Sequence, residues 1–319
     1  MKLELFCIFA VLFAVRAEEQ RWAQFKLDNS ITFSNATEEA VRYNIFEENL
    51  KKIEEHNKLY DEGKVSWTQS VTEFTHLSAD EFSALLTYKI RKTDTVRMNL
   101  LEGFNLSVPE TFDWKDQGKV TKVKNQKSCG SCWAFAIIAA TESHYLIKTN
   151  QTIMLSEQNL VDCCPRKYSC FGCDGGSLIG AWLYMMETGV ALESDYPYTG
   201  NQGTCQNKTK LFKIKKYVLL PKNEVSMKEN VANVGPLAVS LNADLLQNYN
   251  SGILDDSTCP TNKNNHAVLV VGYGNKKSTD YWHVKNSWGS NWGESGYFKI
   301  KRGSNTCGIQ QEAQYPVLY

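Results

Sequence analysis

Cys129 and Cys132 stand three apart in QKSCGSCWAF, residues 126–135, just ahead of an apolar run. A pair so spaced can be a redox couple, half of a metal site, a structural bridge, or a bridged sulfur beside a free one. The free sulfur would be the reactive one, because a thiolate is a nucleophile and a helix N-terminus favours it. Cys132 sits where a helix from Ser131 to Lys148 is expected to begin. A neighbouring imidazole would favour the thiolate further and carry its proton. His266, in NNHAVLVVGYG at the head of a strand, is the candidate; His56 and His76 lie in a cysteine-free region, His144 inside the helix and His283 within a strand. In NSWGSNWG, residues 286–293, Asn286 can accept a hydrogen bond from the far side of that imidazole, and Trp288 can shield the bond from water. Gln126, six residues before Cys132, can join the Cys132 backbone N–H in a two-donor oxyanion hole.

Cysteine arithmetic bears on whether any thiol stays free. The chain has 319 residues and ten cysteines. Its first segment, MKLELFCIFAVLFAVRA, has Lys2, an apolar stretch from Leu5 to Val15, and small residues at Val15 and Ala17. That is the pattern of a secretory signal cleaved after Ala17, and the stretch is shorter than the roughly 20 apolar residues that span a bilayer. No membrane anchor is expected. Secreted cysteines mostly pair. Cys7 leaves with the signal, so nine remain, and an odd number leaves at least one unpaired. Sequons at Asn35, Asn105, Asn150 and Asn207 fit the same route. The 35 basic and 35 acidic side chains cancel, which gives no ground for nucleic acid or another polyanion as partner.

The elements that must position these residues change along the chain. From Thr37, a good N-cap, to about Glu62 runs a polar helix with Val41, Ile45, Leu50, Ile53 and Leu59 as its apolar stripe and Gly63 as its stop. Ser78-Ala-Asp-Glu81 is a capping box that starts a second helix. Residues 89–105 read as a linker. From Val108 the chain turns aromatic and cysteine-rich, with loops over 163–210, and after about Leu211 come the strands KIKKYVLL, PLAVSLN, HAVLVVGYG, YWHVKNS and GYFKIKR. A helical half followed by a strand half predicts an α+β protein with a cleft between two lobes.

QKSCGSCWAF, NHAVLVVGYG and NSWGSNWGESGYF together resemble the papain family of cysteine peptidases in order, residue type and separation. The cysteine-free region resembles that family's inhibitory propeptide. The motif E-x3-R-x3-F-x2-N-x3-I-x3-N is complete as Glu38, Arg42, Phe46, Asn49, Ile53 and Asn57, which points to the cathepsin L-like branch. A second propeptide motif, usually G-x-N-x-F-x-D, is reduced to Ser70, Thr72, Phe74 and His76.

The resemblance implies a papain-like two-lobe fold, with a helical left lobe, a β-barrel-like right lobe and a helical N-terminal inhibitory prodomain. The boundaries expected are 1–17 for the signal peptide, 18–106 for the propeptide and 107–319 for the mature peptidase, which VPETFDWKDQGKV would open near Val108. It implies Cys132 as nucleophile, His266 as general acid/base, Asn286 as orienting residue and Gln126 as oxyanion donor. It implies bridges Cys129–Cys173, Cys163–Cys205 and Cys259–Cys307. Cys164 and Cys170 are left to close a small loop, unless Cys164 replaces Cys163. Gly175, Gly176 and the Asn265 carbonyl would meet substrate main chain, and Gly130 would line the first pocket. Leu178, Ser240, Ala267 or its neighbours, and Glu312 would form the second pocket. Glu312 predicts that arginine is accepted at P2 beside leucine or phenylalanine, unless the carboxylate turns out to solvent. The expected enzyme is a monomeric endopeptidase made as a zymogen, lysosomal or extracellular. It would need no cofactor or metal, act on polypeptides, and be inhibited by its own propeptide and by cystatin-type proteins. Three rivals fit less of the sequence. A disulfide oxidoreductase leaves Gln126, His266 and Asn286 without roles. A zinc module would use Cys129, Cys132, Cys170 and Cys173, which secretion argues against. A non-catalytic homologue would not need the full constellation.

Overall fold

The computed structural model describes residues 18–89, 107–208 and 211–319. The signal segment, Asn105 and nearly all of the expected linker lie outside them.

The N-terminal unit is helical. Helix α1 covers residues 18–28 and α2 spans Ala36–Asp61; a short strand, β1 (Trp67–Gln69), and helix α3 (Ala79–Leu85) follow. The cap of α2 is Asn35, not Thr37. The Asn35 side chain accepts from the Glu38 N–H at 2.9 Å, and Ser34 engages the Glu38 carboxylate, so the helix starts earlier than Thr37 predicts. The buried stripe also shifts. Leu50 and Ile53 face inward as expected, but Val41 and Leu59 are exposed, and Phe46 and Asn49 take their places. Partners decide this. Phe46 packs on Trp22 and Phe25, and Asn49 Nδ2 donates to the carbonyls of Thr75 and Leu77. The other motif residues are tied down as well: Arg42 pairs with Glu81 at 2.7 Å, and Asn57 exchanges two hydrogen bonds with the backbone of Gln69. The Ser78–Glu81 capping box opens α3 as read.

The left lobe gathers α4 (Cys132–Thr149), α5 (Glu157–Cys163) and α6 (Leu178–Glu187). Helix α4 is apolar on most sides and is buried along most of its length, as such a helix must be. The right lobe is a sheet, with a helix α7 (Glu224–Asn233) against it. Its strands are β2 (Phe112–Asp113), β3 (Lys216–Leu219), β4 (Leu237–Leu241), β5 (Tyr249–Leu254), β6 (His266–Lys276), β7 (Thr279–Lys285), β8 (Tyr297–Lys301) and β9 (Ala313–Val317). Strands β1, β2, β5 and β9 were not read from the sequence. Their order is β1-β5-β8-β7-β6-β4-β9-β3, with β2 on β6. The path stays open at both ends, so the right lobe is an open sheet where a barrel-like one was expected. One end strand, β1, comes from the N-terminal unit and lies antiparallel on β5, Trp67 opposite Gly252.

Four disulfides staple the lobes: Cys129–Cys173, Cys163–Cys205, Cys164–Cys170 and Cys259–Cys307. The N-terminal unit has none, and holds together through a small core of Trp22, Phe25, Phe46, Leu50 and Ile53. Phe46→Ala is therefore expected to destabilise that unit by about 3–5 kcal/mol. In calorimetry a low-temperature transition should move down while that of the disulfide-bonded lobes stays. A single transition shifting as a whole would contradict this division.

Candidate active site

Cys132 opens α4 and is the one free cysteine among the described residues. The tight turn ahead of it is made by backbone bonds, Ser131 N–H to the Cys129 carbonyl and Gly130 N–H to that of Cys173. The first backbone N–H groups of a helix have no partner within it, so they surround the sulfur with positive dipoles. Backbone groups of Ala267, Trp133 and Cys132 itself hydrogen-bond the sulfur and favour the thiolate. Burial outweighs them here. Cys132 is 1% exposed, and desolvation pushes its thiol up to about 12.

His266 opens β6, one residue before Ala267, so the sulfur lies against the imidazole's own strand. Its Nε2 meets Asn286 Oδ1 at 2.9 Å. The Ser287 N–H donates to the same Oδ1 at 2.8 Å, which fixes the amide's orientation and makes Nε2 the protonated ring nitrogen. Nδ1 is buried without a hydrogen-bond partner and is left for proton exchange. Trp288 stacks over the ring at 4.7 Å between centroids and is itself walled by Trp292, Phe74 and Phe82. Burial lowers the imidazole to about 4, so in this closed form both thiol and ring are driven toward neutrality.

Gln126 is held from both ends. Its Oε1 accepts from Ser287 Oγ at 2.7 Å and its Nε2 donates to the Cys129 carbonyl at 3.1 Å. An amide nitrogen carries two hydrogens, so one remains for an oxygen in the cleft. Ser287, not singled out from the sequence, thus orients both flanking amides, those of Gln126 and Asn286.

The cleft is filled by residues 87–89 of the N-terminal unit. Thr87 Oγ1 donates to the Gly130 carbonyl at 3.1 Å, Tyr88 N–H to that of Asn265 at 3.0 Å, and Lys89 N–H to that of Gly176 at 3.1 Å. This approach needs glycine. A Cβ on Gly175, at φ 102°, would overlap the Thr87 carbonyl, and one on Gly176 would strike the Trp133 ring at 2.6 Å. The Tyr88 side chain enters the pocket of Leu178, Ser240 and Glu312. Its hydroxyl donates to the Glu312 carboxylate and hydrogen-bonds the backbone of Leu178, at the unpartnered start of α6. Glu312 does not turn out to solvent: it is 5% exposed, takes a second bond from Gln314 Nε2 at 2.6 Å, and has its carboxyl raised by burial. Tyr88 was missed in sequence because it follows α3 in an irregular segment with no periodic signal.

Residues 108–317 match the family model for papain family cysteine protease, and residues 22–82 that for the cathepsin propeptide inhibitor domain. A cathepsin L-like proteinase of Phaedon cochleariae is 36% identical over 317 residues, covering 97% of this chain and 96% of that one. The relative from Fasciola hepatica, also a cathepsin L-like proteinase, is 38% identical over 95% of this chain and 94% of its own. The solved digestive procathepsin L2 proteinase of the Tenebrio molitor larval midgut superposes with a TM-score of 0.88 at 38% identity, covering 94% of this chain and all of that one, 100%. With both the protease domain and the propeptide domain matched in order, the chain belongs to the papain family of cysteine proteases, in its cathepsin L-like zymogen form.

Proposed function

We propose that Cys132 is the nucleophile of this cysteine endopeptidase and that residues 18–106 hold it inactive by occupying its cleft. The observation that carries the reading is an unpaired thiol against the backbone of Ala267, next in chain to an imidazole, His266, whose Nε2 is fixed by Asn286. Once the cleft is open, His266 Nδ1 takes the thiol proton and the thiolate attacks the scissile carbonyl. The second Nε2 hydrogen of Gln126 and the Cys132 backbone N–H hold the oxyanion, the imidazolium protonates the leaving amine, and water cleaves the thioester. Gly176 and Asn265 bind substrate main chain, the same carbonyls now taken by residues 88 and 89. The signal segment supports a secretory route to a lysosomal or extracellular site, and no helix among the described residues is long and apolar enough to cross a membrane. Acid activation of the zymogen, an epoxide thiol label and peptide mapping test the assignment. The label should fall on Cys132, and Cys132→Ser should lose about 10⁴-fold or more in kcat/KM. A label elsewhere, or an active serine variant, overturns it.

Glu312 is proposed to set P2 preference. Tyr88 already places a donor-tipped aromatic chain against it. Arginine needs the ionised carboxylate, and burial raises Glu312 above the usual range. Hydrolysis of P2-Arg relative to P2-Phe dipeptidyl substrates should therefore rise with pH through the carboxyl region. Glu312→Ala should abolish that rise, and an unchanged ratio would count against the role.

Acid release of the N-terminal unit is proposed to run partly through His76. It is packed against Phe25 and Phe33, and burial, aided by Arg42, lowers its imidazole, while Glu81 and the Glu73 backbone oppose. A lowered imidazole means the folded unit prefers neutral His76. Its contribution is whole above pH ~6.5 and is lost as pH falls below that. Glu73 works the other way: burial raises it to about 7, its bond from Asn125 being a long 3.4 Å, so its cost grows as pH rises toward neutrality. His76→Gln should shift the processing profile to lower pH; a profile that stays in place excludes the role.

A further inference from the structure

Behind the His266–Asn286 pair lies a closed polar core that the chemistry above does not use. Lys124 Nζ donates to Glu142 Oε1 at 3.0 Å, to Glu157 Oε1 at 2.7 Å and to the Leu155 carbonyl at 3.2 Å. Thr121 Oγ1 donates to Glu142 Oε2 at 2.6 Å, and Lys285 Nζ donates to the Thr121 carbonyl at 2.8 Å. Glu142, Glu157 and Lys285 are all at least nine-tenths buried, and Glu157 Oε2 has no hydrogen-bond partner. The group borders a cavity of about 20 Å³, room for one water-sized molecule.

Stability does not account for this core. Apolar side chains of similar volume would generally serve as well or better in such a place. Burial pushes Glu157 up to about 8 and Lys285 down to about 8, so both are driven toward their neutral forms. What the core does have is position. Lys124 is two residues before Gln126, Glu142 lies on the helix that Cys132 opens, and Lys285 directly precedes Asn286. Ala267, next to His266, is also in the cavity wall. The carriers of all four proposed catalytic residues converge there. Of the two lysines, Lys285 is the one that reaches from the right-lobe sheet to Thr121, on the segment leading into α4.

We propose that Lys285 is a positioning residue. Its bonds to the Thr121 carbonyl at 2.8 Å and hydroxyl at 3.3 Å hold the end of β7 in register with α4, so that the imidazole gripped by Asn286 meets Cys132. It touches no substrate and acts through Asn286, so the inference rests on the role proposed for that residue.

The test compares Lys285→Met and Lys285→Arg in the full-length zymogen, activated in acid and normalised by active-site titration. The methionine variant should lose about tenfold or more in kcat with KM within about twofold, as a misplaced catalytic group does. Arginine, which keeps the charge and a donor, should recover most of the loss. Because Lys124 still pairs Glu142 and Glu157 can turn neutral, the melting temperature should change little. An unchanged kcat overturns the proposal, and so does a loss that arginine does not rescue and that comes with a lowered melting temperature. Should the methionine variant not fold, Lys285→Gln removes the charge and shortens the reach to the Thr121 carbonyl while staying polar. Its kcat should fall with KM unchanged, and an unaltered kcat again overturns the idea. Failure of the peptidase reading itself would show separately, as an active Cys132→Ser.

Discussion

The hydrogen bond from His266 to Asn286, shut under Trp288, is the contact on which the remaining structure depends. It chooses the tautomer and leaves Nδ1 buried without a hydrogen-bond partner. A bond of this kind is strong only where water is kept away. The indole supplies that exclusion, and Trp292 at a right angle holds the indole in place. The sulfur comes from a helix of one lobe and the ring and amide from strands of the other. Neither lobe holds a site alone: each disulfide lies within one lobe, and the bond from Lys285 on β7 to Thr121 crosses between them behind the site.

The N-terminal unit uses the same exclusion against the enzyme. Phe74 and Phe82 pack on the outer face of Trp288, β1 extends the sheet beyond β5, and residues 87–89 take the backbone acceptors of the cleft. Covered in this way, thiol and imidazole both lose hydration, and desolvation penalises each charged form. We propose that inhibition is electrostatic as well as steric: residues 87–89 occupy the cleft and would also withhold the water that supports a thiolate–imidazolium pair.

Much of this was legible in the residues. An odd cysteine count pointed to a free thiol, the spacing of Glu38, Arg42, Phe46, Asn49, Ile53 and Asn57 laid one motif along a helix surface, and Ser78-Ala-Asp-Glu81 started α3. What escaped depended on tertiary partners. Asn35 displaced Thr37 as cap because Ser34 and Asn35 together satisfy Glu38, a choice between adjacent good caps that propensity does not make. Val41 and Leu59 stayed exposed because the aromatic cluster around Trp22 took the other side of α2. Strand β5 follows a short polar turn, and β9 carries Pro316, which hides both from a periodicity reading. Lys285 lies in a strand whose neighbours alternate weakly, and only the fold brings it to Thr121.

Covering the cleft is proposed to hold Cys132 and His266 in their neutral forms, and uncovering it to restore the ion pair. The direct measurement is the rate of Cys132 alkylation by iodoacetamide against pH, in the intact zymogen and after processing. The processed enzyme should react fast from mildly acidic pH onward, while the zymogen should stay slow until the alkaline range. A zymogen thiol that reacts at neutral pH as fast as that of the processed enzyme would contradict it.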